Sequence, residues 1–401
     1  MMSQNKIGER KKYRRRKRYL AAAFGIAGFS LAAPAPFPAL ADSPPFAYSE
    51  EKWASLRDNR LEFDEIADLI HEYNSTVKKN AIEYQDYKGK DSEEIAQGYY
   101  DTAQDIYDSI EYPDSDEENY GARLAAAHSS ERSADQMMER GDENTADSDT
   151  VLWGHMKTEK GLVQSAQQQM ISYWNAVVSL QIRSSAAEKA RKDLETAQTR
   201  AAAGTTSQTD VLNAREALLT AQAAVTETES SIASIKENLC LMLGWQYGDE
   251  VEISTLPEPE ASMSARIHLE EDIAKAVENN YDLKTLNRQV KNARVGTVQR
   301  SYETTLKSSE EAVKSSVRSA WQSLLLSENQ YAQAKESFAL EEQSMQSAER
   351  KKAAGTISAN AYQSQSYSYA AARAELDTAA LSLLTAQLAY QWAVDGLASS
   401  V

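Results

Sequence analysis

The chain has 401 residues, with 60 acidic against 43 basic side chains and a formal net charge of −17. This balance excludes nucleic-acid binding through the overall field of the protein. Cys240 is the single cysteine, so no intrachain disulfide is possible and packing must hold the fold. We predict that Cys240 is a small apolar packing residue, with a reactive thiol as the alternative.

Residues 1–41 show the three-part pattern of a secretory signal peptide. A basic run at 11–18 precedes an apolar stretch at 20–33, and Ala-Leu-Ala at 39–41 offers a cleavage site. An uncleaved anchor is the alternative, but this apolar stretch is shorter than the ~20 residues that span a bilayer. The sequence therefore predicts an exported protein.

Two helical repeats are predicted, at 61–245 and 267–401, after an N-terminal linker at 42–60. A proline-containing linker at 246–266 joins them. The first repeat holds an acidic, tyrosine-rich insertion at about 80–150 that shows no sustained helical or strand period. We expect this insertion to be partly helical and partly disordered.

Long helices are indicated by where proline and glycine are missing. No proline lies between residues 114 and 256 or after 259, and the long glycine-free stretches match these gaps. Because proline breaks helix interiors and glycine weakens them, the gaps permit four long helices. Their predicted ranges are 162–203, 206–243, 308–353 and 357–394.

Gly204 and Gly355 head two copies of one pattern, offset by 151 residues. After each glycine, small or apolar residues recur at alternating spacings of three and four, as in a helix seam that packs on a partner helix. The two seams are Val211, Ala214, Leu218, Ala221, Val225, Thr228, Ile232, Ile235, Leu239 and Met242, and Tyr362, Gln365, Tyr369, Ala372, Leu376, Ala379, Leu383, Ala386, Tyr390 and Ala393. Each repeat is therefore predicted to be an antiparallel helical hairpin with its glycine at the tip.

Two helix starts carry the sequence signature of a capping box. Ser207 and Asp210 have the required spacing before the helix that follows Gly204. Ser308 and Glu311 have the same spacing, and they predict a helix start at 308.

No motif for catalysis or metal binding stands out. The four histidines do not pair at ligand spacing. A calcium-loop-like start at Asp114 has Asn119 where glycine is needed and Ala125 where glutamate is needed. Phosphate-binding and nucleophile motifs are missing as well. We expect no catalytic residue, no metal and no cofactor, and an enzyme is the last of the functions considered.

The repeat resembles the TolC family of outer-membrane efflux factors. The best-matching block is Gly204-Thr205, then Asp210-Val211-Leu212-Asn213-Ala214, ending at Leu243-Gly244. The second copy keeps Gly355-Thr356 but has Ala-Tyr-Gln-Ser at 361–364. Short helices at 63–74 and 269–280 are similar to the helix that opens each family repeat, and the resemblance covers 61–245 and 267–396.

This resemblance implies an all-α protomer that assembles as a homotrimer, with its hairpins forming a hollow cylinder. It implies a role in efflux or export, with the hairpin tips meeting a membrane-fusion adaptor protein that links to an ABC-type or other inner-membrane pump. The tip residues implied to contact the adaptor are Ala203, Gly204, Thr205, Ala354, Gly355 and Thr356. Asp210 is a possible pore-lining residue, although the helix-cap role is the stronger interpretation.

One departure from the family concerns its β-strands. The family normally inserts a strand pair, which builds the membrane barrel, between the first helix and the hairpin of each repeat. The junction at 291–321 is too short for them, and it has no alternating run of the ~9–11 residues that a membrane strand requires. We expect these strands to be absent or vestigial. The location implied is the outer membrane by resemblance, or the extracytoplasmic surface of a single-membrane organism without the barrel.

Two other functions remain open. A coiled-coil scaffold of the cell envelope would share the hairpins and transport nothing. A membrane-fusion adaptor would show one hairpin flanked by β-rich segments, whereas this sequence predicts two hairpins and no such segments.

Overall fold

The structure, a computed structural model, describes residues 47–401. The predicted signal peptide at 1–41 and the start of the predicted linker at 42–46 lie outside the described residues. The helices are α1 Glu50–Ser55, α2 Ile66–Tyr73, α3 Ser75–Tyr84, α4 Ser92–Asp108, α5 Tyr120–Asp142, α6 Ser148–Ala202, α7 Gln208–Met242, α8 Leu269–Asn279, α9 Tyr281–Asn292, α10 Gly296–Ala353 and α11 Ala359–Trp392. Two-residue strands, β1 Arg60–Leu61 and β2 Glu252–Ile253, pair in parallel.

The predicted all-α class is confirmed. Helices α6 and α7 form one hairpin, α10 and α11 form the other, and α11 packs against α6. Within the described residues, α7 and α10 are therefore the outer helices of a four-helix row. At 1.5 Å per residue, α6 and α10 are each about 80–90 Å long, and α7 and α11 are each about 50 Å long.

Both predicted seams face the partner helix of their hairpin. All seam residues on α7 and α11 are buried or half-buried, while the positions between them on α7 are mostly exposed. The alternating spacing of three and four places the seam residues on one helix face, which is the face that packs. Hairpin pairing thus follows directly from the sequence pattern.

Both long helices begin earlier than predicted. Helix α6 starts at Ser148, before the predicted start at 162, and it continues through Gly154 and Gly161. A helical glycine costs only about 1 kcal/mol relative to alanine, and packing against neighbouring helices offsets that amount. Helix α10 similarly starts at Gly296.

The predicted cap at Ser308 and Glu311 is wrong, because both residues lie inside α10. The Ser308 hydroxyl donates to the carbonyl oxygen of Thr305, and Glu311 pairs with Lys314 one turn later. A serine followed by an acidic residue at this spacing is also compatible with a helix interior, where each side chain finds a local partner.

The junction between the second opening helices and the second hairpin contains no strand pair. Residues 291–321 comprise the end of α9, a short turn and the first part of α10. Polar residues and helix formers dominate this stretch, so its intrinsic helix propensity agrees with the helix found there.

The insertion of the first repeat is helical over most of its length. Helices α4 and α5 pack on one another through small residues that recur every seven positions, and together they are called the α4–α5 arm. The ring of Tyr100 lies over Gly141, where a Cβ atom would approach a ring carbon to 2.3 Å. A capping box at Asp91 starts α4. The predicted helical part of 80–150 is thus found in α4 and α5, which small residues and local caps stabilise, while residues 109–119 between them are not helical.

Three residues at the start of α6 make polar contacts with the second repeat. The carboxylate of Asp147, the N-cap of α6, pairs with Arg288 of α9 and accepts a hydrogen bond from Asn292 at 2.8 Å. Lys157 pairs with Asp282, with 2.6 Å between Nζ and Oδ1. Lys160 donates to the backbone carbonyl of Asp395 at 3.3 Å. The first hairpin is thus fixed to the second at the end opposite the tips.

Apolar packing is densest at this same end. In the second repeat one buried cluster joins residues of α8, α9, α10 and α11, including Ile273, Leu283, Val317, Leu324 and Leu383. In the first repeat Leu61, Ile66 and Ile70 are fully buried. Because burial of large apolar side chains dominates folding energetics, these clusters anchor the bases of the hairpins.

Candidate functional site at the hairpin tips

The first tip is a compact turn between α6 and α7. The Gly204 amide donates to the carbonyl oxygen of Ala201 at 3.0 Å, and the Thr205 amide donates to that of Arg200 at 2.8 Å. Gly204 has φ +70°, a left-handed conformation that glycine adopts without strain. This pair of bonds is the Schellman motif that ends many helices.

The second tip repeats this geometry. The Gly355 amide donates to the Lys352 carbonyl oxygen at 3.0 Å, the Thr356 amide donates to that of Lys351 at 2.8 Å, and Gly355 has φ +66°. The threonine hydroxyls at both tips donate to the same carbonyls as their own amides, at 3.0 Å for Thr205 and 3.1 Å for Thr356. The glycine–threonine pair in the sequence therefore encodes one turn type used twice.

The two tips differ in the cap of the following helix. Ser207 and Asp210 form the predicted capping box of α7, which confirms that interpretation. The pKa of Asp210 is held below its usual value by hydrogen bonds from the Ser207 hydroxyl, the Thr206 hydroxyl and the Ser207 amide. At the second tip Ser358 caps α11 alone, because Ala361 occupies the equivalent of Asp210. The first tip thus carries a carboxylate that the second lacks.

A groove opens between the two hairpins near their tips. Its volume is about 1010 Å³, and its walls are the C-terminal turns of α6 and the N-terminal turns of α11. Lys192 crosses the groove and donates to the side-chain oxygen of Gln363 at 2.8 Å. The ammonium of Lys352 lies 3.7 Å from the centroid of the Tyr362 ring, within cation–π range.

Cations outnumber carboxylates among the groove-lining side chains. The cations are Lys189, Lys192, Arg200 and Lys352, and the carboxylates are Asp193 and Glu195. Each carboxylate already has a partner on α6, since Lys189 pairs with Asp193 at 2.7 Å and Arg191 with Glu195 at 3.1 Å. The groove therefore carries a surplus of positive charge at Arg200 and Lys352.

The structure brings the six predicted tip residues together in two groups. Ala203, Gly204 and Thr205 form the first turn, and Ala354, Gly355 and Thr356 form the second. Open space surrounds both glycines, since a Cβ atom at either position would have no neighbour within 4 Å. The turns are thus accessible, and the groove beside them was not recognised in the sequence. The sequence feature that could have indicated this groove is the group of basic residues at 200 and 350–352.

Other candidate residues have structural roles. Cys240 is buried, and burial raises the pKa of its thiol to about 11, so it is a packing residue with little thiolate. His71 pairs with Glu159 at 2.8 Å and His128 with Glu131 at 3.0 Å. Within residues 47–401, no three His, Cys, Asp or Glu side chains converge as metal ligands do.

Sequence reasoning missed the polar residues that organise the hairpin bases. Asn74 and Asn280 are buried caps at matching positions of the two repeats, and Asp147 joins the repeats. The available signal for the asparagines was their common position after the short helices at 63–74 and 269–280. The available signal for Asp147 was Thr150, three residues later, because the two residues form a reciprocal cap at the start of α6.

Among the described helices, none is both long enough and apolar enough to cross a bilayer.

No family model matches the sequence, and no curated protein matches it significantly. Solved structures do match. The CmeC outer membrane channel of Campylobacter jejuni is 11% identical with a TM-score of 0.50, and the match covers 95% of each chain. The outer-membrane channel OprN is 11% identical with a TM-score of 0.52, over 93% of this chain and 99% of that one.

A third match is the outer membrane protein VceC of Vibrio cholerae, at 10% identity and a TM-score of 0.50, over 83% of this chain and 96% of that one. These matches run nearly the full length of each neighbour, and all three neighbours are outer membrane proteins. The resemblance to the TolC family is confirmed for the fold. This chain has the TolC-like fold of outer membrane channels.

Proposed function

We propose that this protein is a TolC-like conduit of an efflux or export system, located in the cell envelope and assembled as a homotrimer. The observation that carries the proposal is the match to CmeC over 95% of both chains, since CmeC is described as an outer membrane channel. The three neighbours above, none of them an enzyme, support an envelope component that transports.

Exposed leucines on the outer helices support assembly. Leu212 and Leu219 of α7 are 63% and 59% exposed, and Leu326 and Leu340 of α10 are 59% and 66% exposed. Among the described residues of the four hairpin helices, exposed leucines occur on these two outer helices only. An outer helix of one copy against the other outer helix of the next makes a head-to-tail contact, and repeated contacts of this kind form a ring when the rotation between copies closes. The trimer follows from the family resemblance.

The tips are proposed as the contact with a membrane-fusion adaptor that links the conduit to an ABC-type or other pump. Ala203, Gly204 and Thr205 at one tip and their counterparts at 354–356 would form this contact. Two observations support this proposal: both tip turns are exposed, and they share one geometry at the same end of the hairpins. Asp210 lies one turn beyond the first tip. We propose that it adds negative charge to the pore at the tip end of the cylinder, because its lowered pKa keeps the carboxyl ionised.

The location follows from the predicted signal peptide and from the neighbours. An outer membrane site fits the descriptions of the neighbours, and the extracytoplasmic face of a single-membrane organism is the alternative. Membrane fractionation followed by salt extraction distinguishes these two locations. Salt releases a peripheral protein, whereas an outer membrane protein stays in the membrane fraction.

Site-specific crosslinking tests the docking proposal. Cys240 is buried and is the single native cysteine, so Thr205→Cys and Thr356→Cys each introduce one reactive thiol. A thiol-reactive crosslinker in cells should join either variant to a co-expressed adaptor from the same organism. Tyr247→Cys is the matched control, since Tyr247 is 83% exposed and follows α7 at the end away from the tips. Failure at both tips beside an expressed adaptor would favour an envelope scaffold.

A further inference from the structure

The bases of the two hairpins close against the same element of each repeat. A Cβ atom at Gly244 would approach the Cβ atom of Tyr73 to 2.4 Å, and one at Gly396 would approach the carbonyl oxygen of Asn279 to 2.6 Å. Tyr73 and Asn279 are the last residues of α2 and α8, the opening helices of the two repeats. The two glycines therefore mark the same point in both repeats.

The second repeat reaches this point one residue later than the first. Tyr390 is the seam residue that corresponds to Leu239, at the 151-residue offset of the tips. Gly244 follows Leu239 by five positions. Gly396 follows Tyr390 by six positions, and a π-helical turn at Ala393–Leu397 accommodates the additional residue. Turns of this kind are rare, and they occur frequently at functional sites.

A cavity in the second repeat is lined by polar residues whose counterparts in the first repeat are apolar core. Ile66 and Leu239 of the first repeat are fully buried. Their counterparts are Asp272 and Tyr390, at the offsets of 206 residues for the opening helices and 151 for the hairpins. Both line a cavity of about 360 Å³, in which the Tyr390 hydroxyl donates to Oδ2 of Asp272 at 2.9 Å. The second repeat thus has space and polar groups at a place that the first repeat fills with apolar side chains.

The lining of this cavity is amphipathic. Met263, Ile267 and Val394 contribute half-buried apolar side chains. Its cation, Arg266, is paired with Glu260, which is not part of the lining. The volume lies at the lower end of the ~300–1,000 Å³ that small-molecule sites occupy, so the cavity has room for a short ligand.

Uncompensated negative charge lies at the mouth of the cavity. Lys275 pairs with Asp272, with 2.9 Å between Nζ and Oδ1, so this carboxylate is already balanced. The carboxylate of Asp395, which the π turn carries, makes no ion pair or hydrogen bond within residues 47–401, and Lys160 contacts only its backbone carbonyl. Helix α11 also ends beside the cavity, and the C-terminus of a helix carries a partial charge of about −0.5. Both features favour a cation.

We propose that this cavity binds a small amphiphilic ammonium ion, with its alkyl chain against Met263, Ile267 and Val394 and its ammonium group at the Asp395 carboxylate. An ammonium there forms a charge-assisted hydrogen bond, and the apolar side chains remove the alkyl chain from water. The same carboxylate repels an anion of equal length. The inference goes beyond the proposed conduit role and does not depend on it, so tip crosslinking and ligand binding at this cavity can fail separately.

Calorimetric titration of the purified protein with three probes of equal chain length tests the proposal. We expect octylammonium to bind saturably at one site per chain, octanol to bind about tenfold more weakly or less, and octanoate to show no saturable binding. Higher salt should weaken octylammonium binding and leave octanol binding unchanged. Equal affinities for octylammonium and octanol, or preferred binding of octanoate, would overturn the inference. Non-saturable uptake of octylammonium would also overturn it, because it indicates partition onto apolar surface.

Two variants assign the binding to this cavity. Asp395→Asn changes an exposed residue, and it should weaken octylammonium binding by about tenfold or more while octanol binding stays the same. Asp272→Ile with Tyr390→Leu gives the second repeat the residues of the first, and it should abolish binding of both probes. Circular dichroism checks that the proteins remain helical.

The matched control is Asp105→Asn, which removes an exposed carboxylate of the α4–α5 arm. It should leave octylammonium binding unchanged. An equal loss of affinity in Asp105→Asn and Asp395→Asn would show that the net charge of the chain attracts the probe, and unchanged octylammonium binding in Asp395→Asn would show that the ammonium lies elsewhere. Either result overturns the assignment.

Discussion

The side-chain nitrogen of Asn280 donates a hydrogen bond to the carbonyl oxygen of Ala398 at 2.9 Å, and it thereby ties the opening helices of the second repeat to the end of its hairpin. Asn74 likewise donates to a carbonyl oxygen at the end of its own hairpin, that of Met242 in the last turn of α7, at 2.8 Å. Both asparagines also cap the helix that follows them, so one side chain serves two purposes in each repeat. The duplication thus extends from the tips to the closure of the hairpin base.

Replacement of Asn280 should destabilise the protein markedly. Asn280→Ala removes a helix cap and leaves a buried carbonyl oxygen without its donor, so we expect a loss of about 2–3 kcal/mol in the free energy of unfolding. Urea denaturation followed by circular dichroism measures this loss. The control Asn213→Ala alters an exposed helical position and should stay within about 0.5 kcal/mol of wild type. Equal effects of the two variants would contradict the closing role of Asn280.

Replacing the tip glycine with alanine should destabilise the protein, whereas replacing a helical glycine with alanine should stabilise it. Gly355→Ala places a Cβ atom in open space at φ +66°, so the cost is backbone strain alone, about 1–2 kcal/mol. Gly161→Ala, inside α6 and also in open space, should stabilise the protein by up to about 1 kcal/mol. Thermal melting of both variants provides the comparison, and a stabilised Gly355→Ala protein would rule out the left-handed turn.

Stability at acid pH should depend on Asp147. Burial raises the pKa of its carboxyl, but hydrogen bonds from Arg288, Asn292 and the Thr150 amide outweigh this effect and hold the pKa below its usual value. A carboxyl with a lowered folded-state pKa stabilises the fold above its unfolded pKa of about 3.9, and this contribution is lost as pH falls toward the folded value.

The variant Asp147→Asn isolates that contribution, since asparagine retains the capping ability of the side chain. We expect the wild-type melting temperature to exceed that of the variant at neutral pH, and the gap to narrow below about pH 4. The measurement is a series of thermal melts from neutral to acid pH. A constant gap across the series would mean that the Asp147 charge does not stabilise the fold.

Polar residues at the exposed leucines of α7 should weaken assembly. Leu212→Gln with Leu219→Gln removes two apolar contacts, each contributing about 1.5–3 kcal/mol when fully buried. We expect the mass by light scattering to change from trimer to monomer. Ile82→Gln is the control, because Ile82 is 71% exposed on α3 outside the hairpins. A wild-type protein that is monomeric at all concentrations would contradict the trimer.

The sequence pattern predicted what local physics determines. Seams on α7 and α11, both tip turns and the Ser207–Asp210 cap depend on residues within a few positions of one another, so periodicity and turn chemistry reveal them. The start of α6 was missed although its cap is local: the Asp147 carboxylate accepts a hydrogen bond from the Thr150 amide at 2.9 Å, but the third helical position holds threonine instead of the Glu or Gln that marks a capping box. The groove between the hairpins depends on how α6 packs against α11. These helices are distant in sequence, so a local sequence pattern does not predict their packing.

The two ends of the α4–α5 arm lie side by side. The Ser148 amide donates to the Lys90 carbonyl oxygen at 2.9 Å, and the Asn144 side chain donates to that of Ser92 at 2.8 Å. A segment that leaves and re-enters a fold at neighbouring points can be added or removed without moving what surrounds it. Apart from the contacts of Arg294 with Ser92 and Tyr100, the arm packs mainly on itself, so we expect the hairpins to stay in place when the arm is removed.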